Sequence, residues 1–408
     1  MEFRHMKKSD LAMYGELNRY CFRDIDTPEH RDRYMGIISH HLDHTWGAFD
    51  RGVMHAGLWY YPYQMQMDGV FLPMGGVAAV VSRPESRNNG LVRDLMTRMH
   101  QQMRAEKRPL SVLMPFKNSF YGRMGYADTF FIHEHVFEPH QLARRPVGPY
   151  TLREVDGTKN WQTLEQLRLE WSTHYTGTVR RDARYWQSRL IDTWRGQRHT
   201  YLVERRQGGG KRSKGAEVTG YLIANLFPTM ERADLRVVQA IWQDPGTLDA
   251  ILQFLRGLRD QVKEVRWFLP IDVDLFPFFE DPKIKVTYWP KMMFKLVDLK
   301  TAIELRKYDA DFKGELLLDI TADETSTWNA GKWRINWHDG TARVSKLTRG
   351  VPRASLVKID IQTLGIIYSG HRSASALAKV GLLSASMPAL TILDRMFPSG
   401  IPHMEEWF

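Results

Sequence analysis

The sequence has little cysteine and no long apolar run. Cys21 is the single cysteine in 408 residues, which excludes an internal disulfide and a cysteine-based zinc site. No stretch approaches the roughly 20 apolar residues that a membrane-spanning helix needs. The opening residues, MEFRHMKKSD, are too charged for the apolar part of a signal peptide. We therefore expect a protein of the reducing cytoplasm that does not enter a membrane.

The formal charge of +10 raises the alternative of nucleic-acid binding. The basic residues are mostly dispersed among acidic ones, and the densest cluster, Arg205–Gly215, is a glycine-rich loop with no nucleic-acid-binding signature near it. We interpret this loop as solvated surface. His40, His41 and His44 have no carboxylate at suitable helical spacing, so no metal site is predicted.

The length favours two or three domains. Residues 1–148 alternate strands and helices: PMGGVAAVVS is typical of a central strand, and Leu91, Leu95, Met99 and Met103 recur at the four-residue spacing of an amphipathic helix. Residues 149–295 repeat this order, which indicates an internal duplication. Residues 296–408 have short amphipathic strands before helical segments. The prediction is an α/β (α+β) protein of three domains.

Chemistry concentrates between Gly76 and Tyr126. Arg87 and Gly90 form an Arg-x-x-Gly sequence where the amphipathic helix begins, and the free N–H groups of a helix N-terminus suit a phosphate. An ordinary strand–loop–helix corner is the alternative explanation. Tyr121 lies in SFYGRMGY, just after the next strand, where it could donate a proton or simply pack under the sheet. Tyr126 is predicted to be a core residue.

This order resembles the GNAT superfamily of acetyl-CoA-dependent N-acetyltransferases. More closely, VVSRPESRNNGLVRDLM followed by FYGRMGY is similar to the Eis (enhanced intracellular survival) family. That resemblance covers the whole chain and implies two tandem GNAT-like domains followed by a domain like sterol carrier protein. It also implies a homo-oligomer, a hexamer, and a terminal aromatic residue whose carboxylate enters the active site, as EEWF allows.

The resemblance implies roles for individual residues. Tyr121 corresponds to the proton donor, and the carboxylate of Phe408 to the proton acceptor. Acetyl-CoA, the acetyl-donating cosubstrate, would contact the following residues: Val80, Val81, Ser82, Arg87, Asn88, Asn89, Gly90, Leu91, Val92, Arg93, Phe116 and Lys117. Val92 replaces a small residue of the general GNAT signature, and Asn88 and Asn89 stand where relatives are often basic.

The acceptor that the resemblance implies is a polycationic amine, with aminoglycoside antibiotics as the family's substrates. Asp24, Asp26, Glu405 and Glu406 would bind its positive charges. A solvated helix start at the two aspartates and a frayed C-terminus are the structural alternatives. The sequence leaves the physiological amine open among a polyamine, a protein lysine and an exogenous drug.

The second block lacks the phosphate loop. It reads IWQDPGTLDAIL, where Asp244 would repel a pyrophosphate and Pro245 removes an N–H donor. We expect this domain to be structural and the third to deliver the C-terminus rather than carry lipid. The alternative function is a lipid- or ligand-binding protein on a vestigial GNAT scaffold, which the presence of Arg87, Gly90 and Tyr121 disfavours.

Overall fold

The computed structural model describes residues 1–22, 28–191, 197–206, 216–347 and 356–407. Its strands are β1 (Glu2–Arg4), β2 (Thr45–Asp50), β3 (Val53–Met67), β4 (Val70–Ser82), β5 (Leu110–Leu113), β6 (Ala127–Phe137), β7 (Tyr150–Glu154), β8 (Tyr175–Thr176), β9 (Gln197–Arg206), β10 (Ala216–Pro228), β11 (Ala233–Trp242), β12 (Val262–Leu269), β13 (Lys285–Leu296), β14 (Gly314–Ile320), β15 (Gly331–His338), β16 (Thr341–Lys346), β17 (Leu356–Ile359) and β18 (Ile401–Pro402).

Its helices are α1 (Leu11–Phe22), α2 (Pro28–Ser39), α3 (Leu91–Ala105), α4 (Asn118–Gly122), α5 (Trp161–Trp171), α6 (Ala183–Ile191), α7 (Pro245–Gly257), α8 (Leu299–Leu305), α9 (Ile361–Tyr368), α10 (Ala374–Lys379) and α11 (Met387–Met396). Among these described helices, none combines the length and the apolar character needed to cross a membrane.

The chain forms two compact units, of which the first contains residues 1–130 and 290–408. Its larger sheet has the strand order β1-β2-β3-β4-β5-β13. Neighbouring strands are antiparallel, except that β4 runs parallel to β5. Helix α3 buries Leu95, Met99 and Met103 completely in the core of this unit, which confirms the amphipathic helix predicted from their spacing.

The second unit contains residues 131–289, and its sheet has the order β6-β12-β11-β10-β9-β7. Here β11 and β12 are the parallel pair, and the other neighbours are antiparallel. Helix α7 buries Ile251, Leu252 and Leu255 in the core. Both units therefore have four antiparallel strands, a parallel neighbour and an antiparallel closing strand, which is the duplication that the sequence predicted.

The closing strand of each sheet comes from an unexpected part of the chain. Residues 293–296 of β13 pair with β5 of the first unit, and residues 133–137 of β6 pair with β12 of the second. The sequence blocks assigned β6 to the first domain and β13 to the second. Apolar patterning predicts that each segment is a strand but does not select between two similar sheet edges. The compact units consequently change at 130/131 and 289/290, whereas the sequence boundaries lie after residues 148 and 295.

The C-terminal part of the first unit has its own smaller sheet, with the order β16-β15-β14-β17. The alternating residues Trp333, Ile335 and Trp337 of β15 are buried, as expected for a strand with one face against a core. Helices α8 to α11 complete this part, which we call the third domain (residues 296–407). It matches the small α+β domain expected from the sequence.

Candidate active site

In the sheet of the first unit, β4 extends beyond the end of its parallel neighbour β5, and we call the gap beside this extension the cleft. Residues 74–77 of β4 pair with β5, which ends at Leu113. β4 continues to Ser82, and beyond Val77 its only partner among the described strands is β3. Residues 78–82 therefore have no strand partner on the β5 side among the described residues, which leaves room for an extended ligand, although side chains bond the Ala79 and Ser82 carbonyls. Val80, Val81 and Ser82, three of the residues expected at acetyl-CoA, lie on this segment.

A β-bulge shapes β4 at the same level. Gly57 of β3 pairs with Val81, and Trp59 pairs with Ala78, so β4 has one residue more than β3 between these pairs. Ala79 in the bulge has a φ of 48°, which is unusual for alanine. Its carbonyl accepts a hydrogen bond of 2.6 Å from the hydroxyl of Tyr14. A buried tyrosine thus fixes the bend of the strand beside the cleft.

The loop after β4 ends in a cluster of free backbone N–H groups. Asn88 and Gly90 both have positive φ, of 65° and 76°, and the first hydrogen bond of α3 runs from Asp94 N–H to the Gly90 carbonyl, at 3.0 Å. Among the described residues, no acceptor bonds the N–H groups from Asn88 to Arg93, and no side chain caps the helix. Such a cluster, at the positive end of a helix, is suited to a pyrophosphate.

The side chains of this loop and helix start divide into two groups. Arg87, Asn88, Asn89 and Arg93 are exposed, and the Arg93 guanidinium lies 3.4 Å from the Glu324 carboxylate. Leu91 is buried and Val92 is half-buried, and both pack in the same core cluster as Val80. The structure therefore brings the end of β4 and the N-terminus of α3 together, with backbone N–H groups and basic side chains on the solvent side.

In the second unit, the N-terminus of the corresponding helix, α7, is capped by the side-chain carboxylate of Asp244. The Asp244 side chain accepts hydrogen bonds from Thr247 N–H at 2.8 Å and from the Tyr150 hydroxyl at 2.9 Å. Burial opposes ionisation of Asp244, but these hydrogen bonds outweigh it and lower its pKa. Pro245, at the start of α7, offers no N–H. A negative charge from the chain itself occupies the position that a phosphate would take.

Tyr121 lies on α4, a helix of five residues that follows β5. Its side chain is 3% exposed and packs in the core cluster that contains Val80 and Leu91. Its hydroxyl makes no hydrogen bond to any residue that the structure describes, although buried tyrosines usually find a partner. Burial raises the pKa of Tyr121 above its ordinary value. The hydroxyl is therefore protonated at neutral pH and available to a ligand.

Tyr126, five residues later, has the opposite environment. It is 1% exposed, and its hydroxyl lies 2.7 Å from Ser111 Oγ and 3.0 Å from His100 Nε2, two fully buried groups. Both bonding positions of this hydroxyl are thus satisfied inside the protein, and the predicted core role of Tyr126 is confirmed. No sequence pattern indicated the buried polar partners Ser111 and His100.

Phe116 and Lys117 occupy the loop between β5 and α4. The Phe116 side chain is 71% exposed, and its ring lies 5.6 Å from that of Tyr121, in an edge-to-face arrangement. Lys117 precedes the first residue of α4 and is exposed. An exposed aromatic ring therefore lies beside Tyr121, and an exposed lysine precedes the helix that carries it.

The residues before the C-terminus are packed rather than frayed. His403, Met404 and Glu406 are buried, Glu405 is half-buried, and Trp407 is 38% exposed. Burial, and then the charge of Lys291, lower the pKa of His403 to about 3, while Glu406 opposes this shift.

Lys291 of β13 anchors this segment, a contact that sequence reasoning missed. Its ammonium group donates a hydrogen bond of 2.8 Å to the Met404 carbonyl and lies 4.5 Å from the centre of the Trp407 ring. Three further predicted site residues, Asp24, Asp26 and Phe408, lie outside the described residues.

Comparison with known families agrees with this geometry. Residues 2–128 match an acetyltransferase (GNAT) domain, residues 177–299 match a second acetyltransferase (GNAT) domain, and residues 299–405 match a sterol carrier protein domain. The chain is an acetyltransferase with two GNAT domains in tandem. GNAT domains use acetyl-CoA as the acyl donor, and the expected fold class is confirmed.

Relatives of this tandem GNAT acetyltransferase match most of its length. An uncharacterised N-acetyltransferase of Streptomyces coelicolor is 24% identical over 77% of the chain and 75% of its own length. A conserved protein of unknown function from Enterococcus faecalis V583, described as a probable N-acyltransferase, has a TM-score of 0.87 at 24% identity, covering 100% and 99% of the two chains. Eis1 from Mycobacterium abscessus has a TM-score of 0.76 at 18% identity over 100% of both chains. At these identities the structural likeness shows the fold.

Proposed function

We propose that this tandem GNAT acetyltransferase is of the Eis type and transfers acetyl from acetyl-CoA to primary amines of polycationic molecules. Aminoglycosides are the acceptors that the resemblance implies, and a wide pocket would allow several amines of one molecule to react. An enzyme with this activity would give its host resistance to these antibiotics. The fold shared with Eis1 is compatible with the proposal.

The unpartnered hydroxyl of Tyr121 carries this proposal. It belongs to the same core cluster as Val80, at the bulge of β4, and Val92, in the first turn of α3. A pyrophosphate bound by the N–H groups from Asn88 to Arg93 would direct the rest of acetyl-CoA along residues 80–82, toward that hydroxyl. The proposed acetyl-CoA site and the proposed proton donor thus belong to the same part of the first unit.

The reaction proceeds by direct attack of the amine. The nitrogen attacks the thioester carbonyl carbon, a C–N bond forms, and the C–S bond breaks. Burial raises the pKa of Tyr121, so its hydroxyl is protonated in the resting enzyme and donates a hydrogen bond to the sulfur. It gives its proton to the sulfur only as the C–S bond breaks and negative charge develops beside it. The nitrogen loses a proton to the carboxylate of Phe408, and water returns a proton from there to the tyrosinate. The products are an acetamide and free CoA thiol.

The C-terminal carboxylate is the proposed base. A carboxylate is a weak base in water, with a pKa near 3.5, and gains basicity when it is buried. The packing of His403, Met404 and Glu406, and the contacts of Lys291 with Met404 and Trp407, support a fixed position for the segment that precedes this residue. Glu405 and Glu406, together with Asp24 and Asp26, are the carboxylates proposed to attract the cationic acceptor.

Each chain is proposed to bind one acetyl-CoA. In the first unit the N-terminus of α3 has unbonded N–H groups, whereas in the second unit Asp244 caps α7 with its own negative charge. A second pyrophosphate would have to displace this carboxylate against like-charge repulsion. A hexameric assembly and a cytoplasmic location remain proposals carried by the resemblance and by the low cysteine content.

An acceptor panel tests the proposed activity. The protein is mixed with acetyl-CoA and with an aminoglycoside, a linear polyamine or a lysine-containing peptide. Release of the free CoA thiol is measured with a reagent that changes colour on reaction with thiols. A neutral sugar without amino groups is the matched negative acceptor. We expect the fastest release with the aminoglycoside and none above background with the sugar. Equal background rates with every amine would contradict the proposed function.

A further inference from the structure

The turn that follows Tyr121 is held by side chains of the third domain. Gln362 Nε2 donates a hydrogen bond of 2.8 Å to the Gly122 carbonyl, and Thr325 Oγ1 donates one of 2.9 Å to the Met124 carbonyl. Helix α4 has only five residues, too few to be stable alone, and the carbonyls at a helix end lack partners within the helix. Donors from a distant part of the sequence therefore complete this turn.

A buried ion pair lies directly against the same turn. Lys295 Nζ is 2.7 and 2.8 Å from the two carboxylate oxygens of Asp323, and both side chains are fully buried. Gly125 packs onto this pair with a φ of 88°, and a Cβ at this position would lie 2.5 Å from Lys295 Nζ. Asn329 Nδ2 also donates to Asp323, at 2.9 Å. A side chain at position 125 would therefore collide with the ion pair, and only glycine fits there.

The hydrogen bonds around Thr325 are consistent with one arrangement of protons. Because Thr325 gives its proton to the Met124 carbonyl, it accepts from His100 Nδ1, at 3.1 Å. His100 Nε2 then accepts from the Tyr126 hydroxyl, whose oxygen also lies 2.7 Å from Ser111 Oγ. Burial, and then the nearby charge of Lys295, lower the pKa of His100 and keep it neutral, as this arrangement requires.

We propose that Thr325 and Gln362 are positioning residues that orient the Tyr121 hydroxyl by fixing the carbonyls of residues 122 and 124. The third domain would then affect catalysis through the turn that follows the proton donor, in addition to delivering the C-terminus. This inference rests on the proposed role of Tyr121 as general acid. Neither residue is assigned a contact with acetyl-CoA or with the amine.

The first test replaces Thr325 with valine, which keeps the shape and removes the hydroxyl. We expect kcat to fall about tenfold, since a small displacement of a catalytic group costs up to about 10²-fold, while the KM for acetyl-CoA stays the same. Thr325→Ser keeps the hydroxyl and should restore kcat. Ser326→Ala is the matched control: Ser326 is equally buried, but its hydroxyl has no partner among the described residues, so kcat should not change.

A double substitution separates this inference from the proposed function. If Thr325 acts through Tyr121, Thr325→Val should lower kcat no further in a Tyr121→Phe background. Additive losses would overturn the positioning role and leave the role of Tyr121 intact. If Tyr121→Phe alone keeps native kcat, the proposed general acid is wrong instead.

Gln362→Met provides a second test should Thr325→Val fold poorly. Gln362 is only partly buried, so its loss should leave the melting temperature nearly unchanged. We expect the same selective fall in kcat and the same absence of effect in the Tyr121→Phe background. Native kcat in this variant would contradict the role assigned to Gln362.

Discussion

Replacing Tyr121 with phenylalanine removes one oxygen atom that has no hydrogen-bond partner among the described residues. The buried ring, with its edge-to-face contacts to Phe120 at 5.1 Å and Tyr126 at 6.1 Å, is unchanged. A buried hydroxyl without a partner costs about 1–3 kcal/mol in mutational experiments. Tyr121→Phe should therefore leave the stability unchanged or raise it slightly.

The same substitution should strongly reduce turnover. Loss of a general acid typically lowers the rate about 10²-fold or more, which corresponds to about 2.7 kcal/mol of transition-state stabilisation. Binding of acetyl-CoA should be nearly intact, because the N–H groups from Asn88 to Arg93 do not depend on the phenol. We thus expect a lower kcat together with an unchanged dissociation constant for acetyl-CoA.

Tyr126→Phe is the matched control on the same turn. It removes a hydroxyl bonded to Ser111 and His100, both fully buried, and leaves His100 Nε2 without its partner. The expected cost in stability is about 1–3 kcal/mol, and most of kcat should remain. The two variants should therefore show opposite effects, one on rate and the other on melting temperature.

The measurements are thiol release under saturating substrates, titration with acetyl-CoA and thermal melting of both variants. Native kcat in Tyr121→Phe, with chemistry rate-limiting, would show that Tyr121 only packs the core. Equal losses of kcat in the two variants would also contradict the assignment of Tyr121 as general acid and Tyr126 as core residue. Both substitutions would then lower kcat by changing the shape of the turn.

Three other predictions follow from the structure. Gly90→Val should abolish acetyl-CoA binding, since a β-branched residue is strained at a φ of 76°, whereas Pro245→Ala should not; calorimetry should find one site per chain, and two sites would contradict the closed second unit. Deleting Phe408, or adding residues after it, should lower kcat about 10²-fold with little change in melting temperature, while Phe408→Leu keeps most activity; an active extended protein would exclude the terminal carboxylate as base. Burial lowers the pKa of His403 to about 3, so below about pH 6.5 the unfolded chain binds more protons, and this histidine lowers stability by up to about 1.4 kcal/mol per pH unit. Because His100, His135 and His371 also have lowered pKa values, His403→Gln should reduce the slope in melts between pH 7.5 and 5 by this share only.

Local sequence patterns predicted the structure around residues 76–91 better than the long-range contacts that support it. The positive φ of Gly90, the continuous strand before it and the spacing of Leu95 and Met99 are local properties, and local patterns report them well. The sequence also showed that Asp244 would repel a phosphate. An acidic residue before a proline at a helix start caps the helix with a negative charge, and the proline removes an N–H donor.

The interactions that hold Tyr121 could not be predicted in the same way. Thr325 and Gln362 are separated by 201 and 240 residues from the carbonyls that they bond, and a single threonine or glutamine has no pattern to detect. The same limit applies to the buried pair of Lys295 and Asp323. Nothing in either segment indicates that the two charges meet, because long-range contacts depend on the assembled fold rather than on local periodicity.

The pairing of β13 with β5 has a consequence for synthesis on the ribosome. Residues 293–296, which complete the sheet of the acetyltransferase unit, are translated only after the whole of unit 131–289. Until then β5 has an open edge, and open edges invite pairing with other chains. A nascent or truncated product ending near residue 148 would contain the whole loop from Arg87 to Gly90 and still lack the strand that closes its sheet. The first unit therefore cannot complete its sheet until the second unit has been translated. Dependence on chaperones should be greatest for chains whose translation stops within the second unit.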